Sequence, residues 1–143
     1  HLLSLLVVPA MGGVLHTANP RLPASELRRQ IGLVDPRVAF VSPDLSTLWG
    51  EASPRAIATI RLGGGPHDAN PAAPAPASET PPWHDWPDVA ETAAAVVCFT
   101  SGTSGRSKGV VYSHRSIYLH ALAQTGVDDL AISERDTVLP VVP

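Results

Sequence analysis

The sequence predicts an α/β domain with a mostly parallel sheet flanked by helices. Three observations carry that prediction. Short apolar runs of strand length recur along the chain, stretches of helical periodicity lie between them, and glycine or proline marks the joins. The longest run, residues 93–99, is continuously apolar, the pattern of a strand covered on both faces.

In chain order, residues 2–10 read as the end of a buried helix closed by Met11-Gly12-Gly13, where glycine accepts positive φ. Residues 14–17 are a short strand. Asn19-Pro20 marks a turn, and Pro23 helps begin the next element. Ser25 is placed to cap a helix over 26–31, with Leu27 and Ile31 on one face at i, i+4. Residues 38–41 form a short buried strand ended by Ser42-Pro43. A weak helix follows around 46–49, and 56–62 is a third strand. Then the composition shifts. Residues 63–82 hold three successive glycines and six prolines with almost no large apolar side chain. Such a stretch cannot bury enough surface to offset its ordering entropy and reads as a surface linker, open to protease and tolerant of length change. Its Pro-Ala alternation lacks a clear PxxP context with flanking charge, as a partner-binding segment would have. Order returns at 83–89. After the strand at 93–99 comes a polar loop over 100–108, then a strand at 110–113 expected in the same parallel sheet. Ser113 is placed to cap a helix over 115–123, and 136–142 is a last strand. The organisation expected is therefore 1–62 as a first α/β segment, 63–82 as linker, and 83–143 as a second α/β segment.

Hydrophobic residues make up 44% of the 143 residues and charged ones 16%, which decides for a globular chain over a disordered one. The net charge of −3, without a stripe of Lys or Arg, argues against nucleic acid or an anionic membrane as partner. Cys98 is the only cysteine and forms no internal disulfide, so a reducing, cytoplasmic setting is expected. Residues 2–8 are apolar enough to resemble a signal-peptide core. No basic segment precedes them, Pro9 interrupts them, and they are far too short to span a bilayer. With His1 at the first position and an apolar run at 138–143, the chain reads as an internal piece of a longer protein. Nothing in it speaks to oligomeric state.

The chemistry is concentrated in Val96-Val97-Cys98-Phe99-Thr100-Ser101-Gly102-Thr103-Ser104-Gly105-Arg106-Ser107-Lys108-Gly109. Glycines let backbone N–H groups approach an anion, and hydroxyls add donors without bulk. Lysine adds a mobile point charge on a long stem. Each charge-assisted hydrogen bond of this kind contributes roughly 1.5–3 kcal/mol. Lys108 is the only lysine among the ten Lys and Arg residues, and it falls inside this loop. The set suits a polyphosphate better than a solvated turn. Other loop chemistries fail on spacing. GxxxxGK[ST] needs glycine before the lysine and a hydroxyl after it, where Ser107 and Gly109 stand. GxSxG needs one more residue than Gly102-Thr103-Ser104-Gly105 supplies.

Residues 100–109 resemble the phosphate-binding signature of the adenylate-forming superfamily, T-S-G-[ST]-T-G-x-P-K-G. Ser104 stands where threonine is usual and keeps the hydroxyl. Ser107 stands where proline is usual, which gives the loop more freedom without removing a ligand group. Gly13-Val14-Leu15-His16-Thr17-Ala18-Asn19-Pro20-Arg21-Leu22 is similar to a segment of the medium-chain fatty-acyl-CoA synthetase branch. So are Asp85-Trp86-Pro87, Tyr112-Ser113-His114-Arg115-Ser116 and Val138-Leu139-Pro140-Val141-Val142-Pro143. The likeness covers about 1–50 and 83–143 in order. It implies part of the N-terminal domain of the adenylate-forming fold, and an acid–thiol ligase. Such an enzyme activates a carboxylic, here fatty, acid with ATP as acyl-AMP and passes the acyl group to CoA. Carried over residue by residue, Thr100, Ser101, Gly102, Thr103, Ser104, Gly105 and Lys108 would hold the β- and γ-phosphates. Mg²⁺ is implied too, with its protein ligand outside this chain, as are the adenine and ribose motifs and the second-domain lysine. The chain alone is therefore expected to be inactive. A non-catalytic fragment with a partial phosphate site is the competing reading.

Other candidates carry less. Ser113 beside His114 suggests a catalytic pair, but adjacent residues at a helix start seldom have proton-transfer geometry, and capping is favoured. His114 and His120 are six apart, off one helical face, which speaks against a metal site. Cys98 reads as an inert core residue, and Asp128-Asp129 as a solvated loop.

Overall fold

A computed structural model describes residues 2–53, 57–62, 86–100 and 106–139. The chain divides into two compact units, His1–Thr17 with His84–Pro143, and Ala18–Trp83. The first seventeen residues thus group with the second segment of the chain. The linker over 63–82 lies outside the described residues.

In the unit Ala18–Trp83, α2 (Ala24–Val34) is followed by β2 (Val38–Val41), a 3-10 turn at Pro43–Leu45, α3 (Ser46–Ala52) and β3 (Ala58–Arg61). β2 and β3 pair in parallel, from Val38↔Ala58 to Val41↔Arg61. That direction requires a crossover, and α3 supplies it. Leu27 and Ile31 point into a small core with Ala52, flanked by Ala24, Leu48, Trp49 and Ile57. The predicted i, i+4 face is the buried one. Arg28 donates to the Glu51 carbonyl and ties α2 to the last turn of α3. Glu26 accepts from Arg29 through both carboxylate oxygens, at 2.9 and 2.7 Å.

The cap of α2 differs from expectation. Pro23, not Ser25, holds the N-cap position, and no side chain caps the helix. The Pro23 carbonyl accepts from the amides of Glu26 and Leu27, both at 3.0 Å. With φ at −56°, proline presets the entry to the helix, and Ser25 falls inside the first turn. β2 also differs, because of its four residues only Val41 is buried, while Val38 and Phe40 are exposed.

The other unit begins with α1 (Leu2–Ala10) and β1 (Leu15–His16) and continues with β4 (Ala94–Thr100), β5 (Lys108–Ser113) and α4 (His114–Thr125). The close of α1 is as read. Gly12 donates to the Pro9 carbonyl at 2.8 Å and Gly13 to that of Val8 at 2.9 Å, with Gly12 at φ +79°. This is the paired hydrogen-bond pattern of a left-handed helix stop. A side chain at Gly13 would stand 3.0 Å from the Val8 carbonyl oxygen. The helix itself is not buried here. Leu2 is 70% and Leu3 75% exposed, and Pro9 alone is buried.

The three-stranded sheet runs β1-β4-β5. β1 lies parallel to β4, with Leu15↔Val96 and His16↔Val97. β5 lies antiparallel to β4, which corrects the expectation of a parallel return. Seven residues, 101–107, cannot make a parallel crossover, which needs a dozen or more. β5 begins at Lys108, two residues earlier than expected. Nor is β4 fully covered, since Ala95 alone among its residues is buried. No strand forms over 136–139. Instead the Asp136 carboxylate accepts from the Ser133 amide and hydroxyl at 2.7 and 2.8 Å, closing a turn. Residues 140–142 lie outside the described residues.

Candidate phosphate-binding hairpin

β4 and β5 deliver the two ends of the hydroxyl- and glycine-rich loop to one place. Thr100 closes β4 and Lys108 opens β5, and the two are direct cross-strand partners. Side chains at such positions lie on the same face of the sheet, with Cβ atoms about 4.5–5.5 Å apart. Both residues are exposed, as is Arg106. Lys108 has no ion-pair partner among the described residues. An aliphatic stem rooted in a strand and a free ammonium at the strand's end suit an anion held over the hairpin. Ser101, Gly102, Thr103, Ser104 and Gly105 lie outside the described residues. Of the predicted set, the structure therefore places Thr100 and Lys108 and brings them together.

The opposite end of the hairpin is tied to α4. Ser113 caps that helix as expected, its Oγ accepting from the Ser116 amide at 3.1 Å, while Ser116 Oγ donates back to the Ser113 carbonyl at 2.9 Å. The Ser113 hydroxyl is thus engaged in a cap and not with His114. The Arg115 amide donates to the Glu91 carbonyl at 2.7 Å, and the His114 amide to that of Ala93 at 3.2 Å. Arg115 and Glu91 also pair through their side chains at 3.2 Å. The start of α4 is thereby fastened to the turn that leads into β4.

Sequence reasoning missed a cluster behind the hairpin. His16 of β1 donates through Nδ1 to the Val97 carbonyl at 3.3 Å. Its ring meets Phe99 edge to face, with centroids 5.2 Å apart and planes at 66°. His16 Nε2 is buried without a hydrogen-bond partner. Burial pushes the imidazole below its ordinary pKa, against the opposing pull of the Val97 carbonyl. The alternation of Val97 and Phe99 was a usable signal for a shared face. Their meeting with a residue some eighty positions upstream was not legible.

Among the described residues, no group of three or more His, Cys, Asp and Glu is placed to hold a metal ion. Asp129 accepts from Gln124 at 3.1 Å in an exposed loop. No helix among the described residues is long and apolar enough to cross a membrane.

The family model described as AMP-binding enzyme matches residues 1–143, the whole chain. A long-chain-fatty-acid–CoA ligase of Thermus thermophilus is 39% identical, aligned over all of this chain and 26% of its own length. A medium-chain-fatty-acid–CoA ligase of Ectopseudomonas oleovorans is 34% identical over all of this chain and 28% of its own length. The chain thus spans about a quarter of these curated relatives. Among solved structures, an amide bond synthetase from Marinactinospora thermotolerans superposes with a TM-score of 0.62 at 26% identity, over 85% of this chain and 24% of that one. A luciferase-like enzyme from the mealworm Zophobas morio gives 0.60 at 21% identity, over 80% and 27%, a likeness of fold.

Proposed function

The chain belongs to the family of AMP-binding enzymes, and on that footing we propose that it forms the phosphate-gripping part of an ATP-dependent fatty-acyl-CoA synthetase. A carboxylate oxygen of the acid attacks the α-phosphorus of ATP, the bond to pyrophosphate breaks, and acyl-AMP forms. The sulfur of CoA then attacks the acyl carbonyl, the bond to AMP breaks, and the thioester is released.

In this chain the work falls on the hairpin. Thr100, Ser101, Gly102, Thr103, Ser104 and Gly105 supply hydroxyl and backbone donors to the β- and γ-phosphates, and Lys108 supplies charge. Negative charge grows on the departing pyrophosphate, so donors fixed there lower the barrier more than they stabilise bound ATP. The single observation that carries this reading is the direct pairing of Thr100 with Lys108 across the mouth of that loop. It sets the one lysine beside the first hydroxyl of the run. The names of the Thermus and Ectopseudomonas relatives support a fatty acid as the substrate. Mg²⁺, when bound, would offset phosphate charge.

The test is Lys108→Ala in the ligase that carries this segment. Pyrophosphate exchange into ATP is expected to fall by about a hundredfold or more, the loss seen when one fixed donor to developing charge is removed. Affinity for the carboxylic acid should hold. An unchanged exchange rate would take Lys108 out of the mechanism.

A further inference from the structure

We propose that His16, Phe99 and Gly109 form a brace that fixes the register of the β4–β5 hairpin, and that His16 is thereby a positioning residue for Lys108. The positioning clause rests on the phosphate role proposed for Lys108.

Something in the strands must set this register. The connection over 101–107 is longer than the tight turns that dictate pairing, and its glycines and small hydroxyl residues leave register weakly specified. At the far end the pairing is interrupted by an irregularity between Ala94 and Val96. A slip of one residue would put Lys108 opposite Phe99 and turn its side chain to the other face of the sheet.

Phe99 and Gly109 oppose that slip. They are direct partners, and a Cβ built on Gly109 would lie 3.3 Å from Phe99 Cζ, 3.5 Å from Cε1 and 3.7 Å from Val97 Cγ1. The phenyl ring therefore lies across the glycine backbone, the arrangement by which an aromatic residue covers a glycine on a neighbouring edge strand. Lys108 or Val110 in that place would crowd the ring, which would have to give way by a few tenths of an ångström. In the observed register Phe99 faces the one residue without a side chain, and Lys108 falls opposite Thr100.

The ring is held in turn from β1. His16 packs edge to face on Phe99 at 5.2 Å, and its own orientation is fixed by the hydrogen bond from Nδ1 to the Val97 carbonyl. By register His16, Val97 and Phe99 share one face. Thr100 and Lys108 share the other. The brace acts through the backbone it locks and does not touch the bound phosphates.

The experiment uses the ligase that carries this segment, with His16→Leu, Phe99→Leu and His16→Gln. The two leucine variants should lower kcat for pyrophosphate exchange by about ten- to a hundredfold, as an ångström-scale misplacement of a group that acts on developing charge does. KM for the carboxylic acid should stay put. His16→Gln, which keeps an amide donor for Val97, should recover part of the loss. Amide hydrogen exchange on the same proteins should show β5 opening faster in His16→Leu while α4 keeps its protection. A KM for the carboxylic acid that rises along with the fall in kcat, or an unmoved kcat, would overturn the positioning role. Unchanged protection of β5 would overturn the brace itself. Absence of pyrophosphate exchange in the unaltered protein would overturn the phosphate reading and the positioning clause with it, while the exchange protection would still decide the register claim.

Discussion

The fold holds His16 toward its neutral form. Its Nδ1 hydrogen is committed to the Val97 carbonyl, and its Nε2 is shut away from water without a partner. A proton arriving at Nε2 would carry charge into a site walled by Phe99. The folded imidazole consequently titrates below 6.5, the value of the unfolded one. As pH falls below 6.5, the unfolded chain takes up a proton that the folded chain still refuses, so the fold loses stability. The loss ends once pH drops beneath the folded pKa, and above 6.5 the group contributes no slope. Replacing His16 with Gln removes this titration. Chemical denaturation of the chain from pH 7.5 downward should show a shallower decline for His16→Gln than for the unaltered chain, beginning just below 6.5. Parallel profiles would show that the imidazole is solvated in the fold.

At the scale of elements, the hairpin and its helix form one mechanical unit. Ser113 ends β5 and caps α4 in the same stroke, so the strand carrying Lys108 cannot shift without disturbing the helix. Ser113→Ala should cost about 1 kcal/mol, the usual loss for a serine cap, read as a lower denaturation midpoint with unchanged slope. No change would mean that solvent or the Ser116 hydroxyl satisfies the exposed amide equally well. This cap was legible in the sequence because a cap is local chemistry, one hydroxyl three residues from one amide. The glycine stop of α1 and the apolar face of α2 were legible for the same reason. The direction of β5 was not read correctly, although the length of the loop before it held the answer. The start of α2 shows a different limit, since Pro23 competed with Ser25 and a fixed φ outweighed a hydroxyl. The site divides along the same line. The loop's donors are consecutive and visible in sequence, whereas the pairing of β1 with β4 joins positions some eighty residues apart.

At the scale of the whole molecule, the chain leaves much apolar surface in water. On α4, Tyr118 is 64% and Leu119 55% exposed, and Val111 of β5 is 61% exposed. Apolar faces of this kind ordinarily mark contacts with further protein. They agree with a chain that spans about a quarter of its curated relatives. The 143-residue chain, purified by itself, is expected to self-associate and to catalyse no exchange, because only the phosphate end of the proposed nucleotide site is assigned to it. The central claim is that this segment serves adenylation of a carboxylic acid. It is tested most directly by the incorporation of labelled pyrophosphate into ATP, measured side by side in the 143-residue chain and in the longer synthetase proposed to contain it, with and without a fatty acid. Label should enter ATP in the longer protein only when the acid is supplied, and not at all in the 143-residue chain. Exchange that ignores the acid, or none under any condition in the longer protein, would contradict the account.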